Sequence, residues 1–454
     1  METTIASIST APGIGGIGII RMSGKESFNI LEKIFKPKSN SEIAGYTMKY
    51  GHIVEDEKII DEVLVSYFKS PRSYTTEDMC EINSHGGTIV MKKILELCLK
   101  NGAELAEPGE FTKRAFLGGR IDLSQAESVI DIINAKSDRE AKEGIKQLDG
   151  YLSEKITEIK KDLLEIMTNI EVSIDYPEYD TPEVTNKEIV EKINNSREKL
   201  QNLEKSFDNG KIIKQGIKTV IIGKPNAGKS SLLNAILKEE RAIVTEVEGT
   251  TRDTIEEFIN INGIPLNLID TAGIRESEDK VEKIGIEKSK KLAQDADLII
   301  AILDSSQKLT EDDIKILEIA KNKKSIIILN KIDLQQKITS ENPKLQIFNK
   351  NIINLSAKNK IGLETLFEKI TDMFNLNEIN LDNDIVITNE RHKNLITKTI
   401  ENLNKAEKIL NEGMPIDIVE ISLKDALSNL GAITGEEAGE EIINEIFSRF
   451  CLGK

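Results

Sequence analysis

Residues 223–230 read GKPNAGKS, and no other stretch constrains the chain so tightly. The pattern is GxxxxGK[ST]. It follows the apolar run KTVII and opens the apolar segment SSLLNAIL, so strand, glycine loop and helix are predicted in that order. Such a loop cradles phosphate. Its glycines let backbone N–H groups wrap the anion, the helix N-terminus adds positive dipole, Lys229 reaches the β/γ oxygens, and the Ser230 hydroxyl can ligate Mg²⁺.

Three more elements follow in order, each at the end of an expected strand. Asp270, Thr271, Ala272 and Gly273 (DTAG) place a carboxylate near Mg²⁺ and a glycine N–H by the γ-phosphate. In NKID, Asn330 and Lys331 precede Asp333, whose carboxylate can accept from guanine N1–H and the 2-amino group. Adenine offers neither donor, so the base is guanine. Ser356, Ala357 and Lys358 should complete the base pocket with a backbone N–H to the guanine carbonyl. Gly249, Thr250 and Thr251 open GTTRD, with Thr251 as the switch hydroxyl on Mg²⁺. With Asn226, Ala227, Gly228 and Ser231 these residues form the expected GTP site, and Lys229 and Thr251 its catalytic core. Ras-like proteins carry a water-orienting glutamine after DTAG. Here that position is Ile274, which cannot hydrogen-bond, so the water must be positioned from elsewhere.

A chain of 454 residues exceeds one ordinary core, so several domains are expected. Residues 1–118 alternate β-rich runs (IGIIRMSG, MKYGHIV, EVLVSYF, DMCEINSHGG) with a helical stretch, IVMKKILELCLKNG, and read as an α+β domain. Residues 119–210 turn helical. Leu152, Ile156, Ile159, Leu163, Ile166 and Ile170 recur at steps of four and three, one apolar stripe on a long helix. Residues 211–375 carry the buried-strand candidates KTVIIG, PLNLID, ADLIIAIL, KSIIIL and NIINL, a doubly wound α/β domain. Residues 376–454 return to helix, so the fold class is multidomain α/β and all-α, with the nucleotide domain inserted into a helical one.

The net charge of −16, from 61 Lys+Arg against 77 Asp+Glu, works against indiscriminate binding to phosphate backbones. Three scattered cysteines fit no disulfide framework or zinc site. The opening METTIASISTAPGIGG lacks the basic start and apolar core of a signal peptide, and no apolar run approaches the roughly 20 residues of a membrane span. A cytoplasmic location is expected.

From end to end the chain resembles the bacterial tRNA-modification GTPases of the MnmE (TrmE) family. The resemblance rests on the APGxGGxGIIRxSG opening, PGEFTxRAFLxGRxDLxQAE at 108–127, GKPNAGKSSLLN, GTTRD, DTAGIR, NKID and the terminal FCLGK. It implies a folate-binding N-terminal domain and action with a flavin-dependent partner of the MnmG (GidA) type in a heterotetramer. Together they would add a (carboxymethyl)aminomethyl group at C5 of the wobble uridine of certain tRNAs. Arg21, Glu81, Arg120 and Lys454 match the family's contacts to a reduced folate such as 5-formyltetrahydrofolate.

The resemblance also implies a homodimer through the N-terminal domain and K⁺-dependent pairing of the GTPase domains. It extends the nucleotide set to Thr245, Glu246, Val247 and Glu248, and places K⁺ at Asn226, Thr245, Val247 and Thr250. Glu282 matches the residue that orients water or acts as general base. Cys451 fits a nucleophilic thiol or a wall of the folate pocket. No activating His is readable nearby, which favours the wall. The alternative is an Era-like ribosome-assembly switch, which should carry a basic RNA-binding module that this sequence does not show.

Overall fold

The computed structural model describes residues 3–39, 42–43, 45–175, 186–237, 257–261, 264–269, 292–374 and 386–454. Contacts divide the chain into two compact units, one of residues 1–130, 146–197 and 395–454, the other of residues 131–145 and 198–394.

The first unit begins with β1 (Ile5–Ile8), β2 (Gly15–Ser23), α1 (Ser27–Ile34), β3 (Phe35–Pro37), β4 (Tyr46–Glu55), β5 (Lys58–Phe68), β6 (Met79–Gly86), α2 (Thr88–Lys100) and β7 (Glu104–Leu105). The strands form one sheet in the order β3-β4-β5-β6-β2-β1-β7. Alternation decides what each face carries. Ala6, Ile20, Met22, Val63, Val65, Cys80 and Ile82 point inward against Ile30, Leu31, Ile34, Met91 and Ile94 of the two helices. The intervening residues occupy the other face, where register sets Arg21 opposite both Ser7 and Glu81. The four β-rich runs anticipated here correspond to β2, β4, β5 and β6, and the helical stretch to α2.

Helices follow: α3 (Glu110–Leu117), α4 (Leu123–Ile133), α5 (Asp138–Leu148), α6 (Tyr151–Asp175) and α7 (Asn186–Gln215). The six residues of the α6 stripe are each at most 3% exposed. They pack chiefly on a helix from the far end of the chain, α12 (Ile416–Thr434), whose Val419, Leu423, Ala426, Leu430 and Ile433 are buried. Burying each such Leu or Ile stabilises by about 1.5–3 kcal/mol, which explains how segments so distant in sequence form one bundle.

The second unit contains β8 (Ile217–Gly223), α8 (Lys229–Leu237), β9 (Glu257–Ile261), β10 (Ile264–Leu268), β11 (Leu298–Asp304), α9 (Glu311–Lys321), β12 (Ser325–Asn330), β13 (Ile352–Leu355) and α10 (Leu363–Met373). The sheet order is β13-β12-β11-β8-β10-β9. Helices cover both faces. Ile300 and Ile302 pack with α8 and α10, while Ile299, Ala301 and Leu303 pack with α9. Every residue of β11 is buried, as a central strand of a doubly wound sheet requires. Strands β8 and β10 to β13 coincide with the five expected ones. Strand β9 is an addition, antiparallel to β10, and its sequence signal was Asn262-Gly263 between two apolar runs. The chain ends in α11 (Glu390–Asn411), α12 and α13 (Glu440–Ser448).

Candidate functional site

Strand β8 delivers the phosphate loop and α8 receives it, held down by buried Leu232, Leu233, Ala235 and Ile236. Gly228 sits at φ +105°, and a Cβ there would fall 2.1 Å from Asn330 Nδ2, so only glycine fits. That asparagine is 2% exposed and joins three segments. Its Nδ2 donates to Ala227 O at 2.9 Å, and its Oδ1 accepts from Ala357 N–H at 3.1 Å. The Ala357 donor, one of those in the turn expected to meet the guanine carbonyl, thus also serves Asn330. Lys229 Nζ donates to Gly223 O at 2.7 Å and Lys224 O at 2.8 Å, curled over its own loop. Burial lowers its pKa, so an anion beside it would be met by a poorly solvated cation.

Asp333 is exposed, and its Oδ1 accepts the Ser356 hydroxyl at 2.6 Å. That hydrogen bond, foremost, holds its carboxyl below the ordinary value, leaving an ionised acceptor for paired N–H donors. Asn226, at φ +61°, and Ser230 are both exposed at the loop. Two anchors were missed by sequence reasoning. Lys224 Nζ binds Asp313 Oδ2 at 2.8 Å, fastening the loop to the capped start of α9. Lys331 Nζ binds Asp304 Oδ2 at 2.7 Å. The readable signal for Asp304 was a carboxylate closing the otherwise apolar run LIIAILD. The expected site residues 245–251, 270–273 and Glu282, and Ile274 with them, lie outside the described residues.

A second constellation gathers on the face of the N-terminal sheet that carries Arg21 and Glu81. Arg21 Nε donates to Glu81 Oε1 at 2.9 Å, with a second nitrogen 2.8 Å from the same oxygen. Another Arg21 nitrogen donates to Gly453 O at 3.2 Å, drawing in the C-terminal segment. Gly453, at φ +84°, fits because a Cβ there would lie 2.3 Å from Ile8 O. The segment is held from behind by Phe447 and Phe450, packed with Ala115, Leu123 and Ala126. Lys454 is pushed down in pKa by burial and then by Arg21. Tyr74 stands between the arginines, its ring centroid 5.4 Å from the Arg21 guanidinium and 4.5 Å from that of Arg120. Phe111 lies 5.6 Å from Arg21. Sequence reasoning named the four charged residues but neither aromatic. Two guanidiniums, an ammonium, one carboxylate and the Tyr74 ring suit a planar, hydrogen-bonding, anionic molecule. Cys451 is exposed, and its carbonyl oxygen accepts from Gly109 N–H at 3.4 Å.

Among the described residues no group of His, Cys, Asp and Glu could hold a metal by itself, and no helix is long and apolar enough to cross a membrane. A phosphate loop stapled through Asn330 to the Ser356–Lys358 turn on a doubly wound sheet defines a P-loop GTPase, here one with additional domains. The family model described as GTP-binding protein TrmE N-terminus matches residues 4–120, and that of the MnmE helical domain residues 123–451. The tRNA modification GTPase MnmE of Acetivibrio thermocellus is 50% identical over 456 residues, covering 100% of this chain and 99% of its own length. That of Clostridioides difficile is 50% identical over 457 residues and covers 100% of both. Among solved structures, the G domain of the T. maritima FeoB iron transporter is 29% identical, covers 35% of this chain and 98% of its own, and has a TM-score of 0.26. The chain belongs to the MnmE family of tRNA modification GTPases.

Proposed function

We propose that this chain hydrolyses GTP in the service of tRNA modification, adding with a flavin-dependent partner a (carboxymethyl)aminomethyl group at C5 of the wobble uridine. It is a tRNA-modification GTPase by family, since the relatives so named match it along its whole length. One observation carries the finer chemistry: Arg21, Glu81 and Lys454, with Arg120 across Tyr74, converge on one face of the N-terminal sheet. A reduced folate fits these groups. Its glutamate tail would meet the cations, its pterin N–H groups would meet Glu81, and the bound folate supplies one carbon.

In the nucleotide domain, Mg²⁺ would be held by Ser230 and Thr251, and K⁺ by Asn226 with Thr245, Val247 and Thr250. The glycine-only fit at Gly228 and the exposed Ser230 and Asn226 suit a cradle for phosphate and cation. Cations there offset charge as it develops between the phosphates. Lys229 and Thr251 would contact the phosphates, and Glu282 would orient the water. The nucleotide domain, residues 211–375, is read as inserted between helical segments 119–210 and 376–454. The protein is cytoplasmic, a homodimer through residues 1–118, and forms a heterotetramer with its partner.

The test is mass spectrometry of wobble uridine in tRNA from a deletion strain. The modified nucleoside should vanish and return with the wild-type gene but not with Lys229→Ala or Arg21→Ala. Persistence of the modified nucleoside in the deletion strain would overturn the reading.

A further inference from the structure

Beneath the guanine-reading turn, one buried carboxylate organises more donors than a strand end requires. Asp304 closes β11 directly opposite Asn330 in β12 and is 5% exposed. Its Oδ1 accepts from Ser306 N–H at 3.0 Å and Ser306 Oγ at 2.6 Å. Its Oδ2 accepts from Gln307 Nε2 at 3.1 Å and Lys331 Nζ at 2.7 Å. The neighbouring Ser305 donates both its N–H and its hydroxyl to Asn330 O, at 2.9 and 2.7 Å, tying the same two strand ends together.

We propose that Asp304 is a positioning residue for guanine nucleotides, acting through Lys331. The lysine stands in the left-handed region at φ +65°, between Asn330, which holds the phosphate loop, and Asp333, which is placed to read the base. A free lysine side chain loses rotamer entropy when a ligand orders it. Here the ammonium is already fixed by a charge-assisted bond to a carboxylate that three other donors orient, so nucleotide meets a preordered side chain. The Asp304 carboxylate itself touches Lys331, Ser306 and Gln307, and on this proposal it acts on nucleotide through the lysine. Its loss should therefore act on the nucleoside end of the ligand, equally for GTP and GDP, and leave turnover at saturating GTP unchanged.

This inference rests on the GTPase reading, and the experiment separates the two. Affinities for fluorescent GDP and GTP are measured on full-length wild type, Asp304→Asn, Lys331→Met and the double variant, with melting temperatures in parallel. Each single change should raise Kd about tenfold for both nucleotides, and the double variant should be no weaker than the weaker single one. If Asp304→Asn does not fold, Asp304→Glu, which keeps the charge but displaces it, takes its place. Wild-type Kd in the Asp304 variant would overturn the proposal. So would additive losses near a hundredfold in the double variant, because a merely structural carboxylate would weaken the site whether or not Lys331 is present. Failure of wild type itself to bind guanine nucleotides would instead overturn the GTPase reading.

Discussion

Asp333 illustrates how much one carboxylate can decide. Its Oδ1 is engaged by Ser356, and an asparagine could keep that bond through its own oxygen while presenting an amide N–H₂ toward guanine. Asp333→Asn should therefore fold normally, weaken GTP by about 2–3 kcal/mol and favour xanthosine nucleotides. Equilibrium binding of the two nucleotide classes decides it, and unchanged GTP affinity would refute the role. Arg120 is argued in the same way. It rests against Tyr74 and is absent from the Arg21–Glu81 pair, so Arg120→Ala should leave that pair intact. Titration with 5-formyltetrahydrofolate should show binding weaker by about 1.5–3 kcal/mol, and equal heats for variant and wild type would remove Arg120 from the site.

Elements were legible where periodicity and turn chemistry agree. The α6 stripe, the alternation in β2 and β6, and the unbroken apolar run of β11 up to Leu303 each follow from a pattern of 3.6, 2 or 1 in the sequence. Tyr74, Asp313 and the partner of Asp304 were not legible. Their roles come from approaches between segments distant in sequence, and local sequence carries no record of which strand end meets which loop. Helix α5 offers a further case. Glu140 on it is 7% exposed, accepts Lys136 N–H at 2.7 Å, and is pushed by burial to a pKa of about 7. A carboxyl raised from its ordinary 4.5 adds stability in full below that value. The contribution drains away as pH rises through about 7. Glu140→Gln stays neutral throughout and can keep the Lys136 bond. Its melting temperature should match wild type near pH 4 and exceed it at pH 8, and a gap independent of pH would contradict this account.

For the whole molecule, Ile274 stands where Ras-like proteins carry a water-orienting glutamine, so the proposed mechanism draws on parts brought together rather than on one preassembled loop. Under the proposed mechanism two functions are separable. Asn226, exposed at φ +61° in the phosphate loop, is placed to help hold K⁺ where the GTPase domains of two copies meet, while Glu282 orients water. Each change should therefore leave a different signature. Asn226→Ala should abolish the difference between K⁺ and Na⁺ buffers in both GTP hydrolysis and association of the nucleotide domains. The second readout, sedimentation of protein with a non-hydrolysable GTP analogue, does not depend on turnover. Glu282→Ala should lower kcat by about 10² while GTP affinity and K⁺-dependent association stay near wild type, since it is assigned to neither base nor phosphates. If Glu282→Ala turns over GTP at the wild-type rate in K⁺, the glutamate is a surface charge and another group positions the water. If Asn226→Ala still associates only in K⁺, the cation is held elsewhere and the pairing of the two functions on these residues fails.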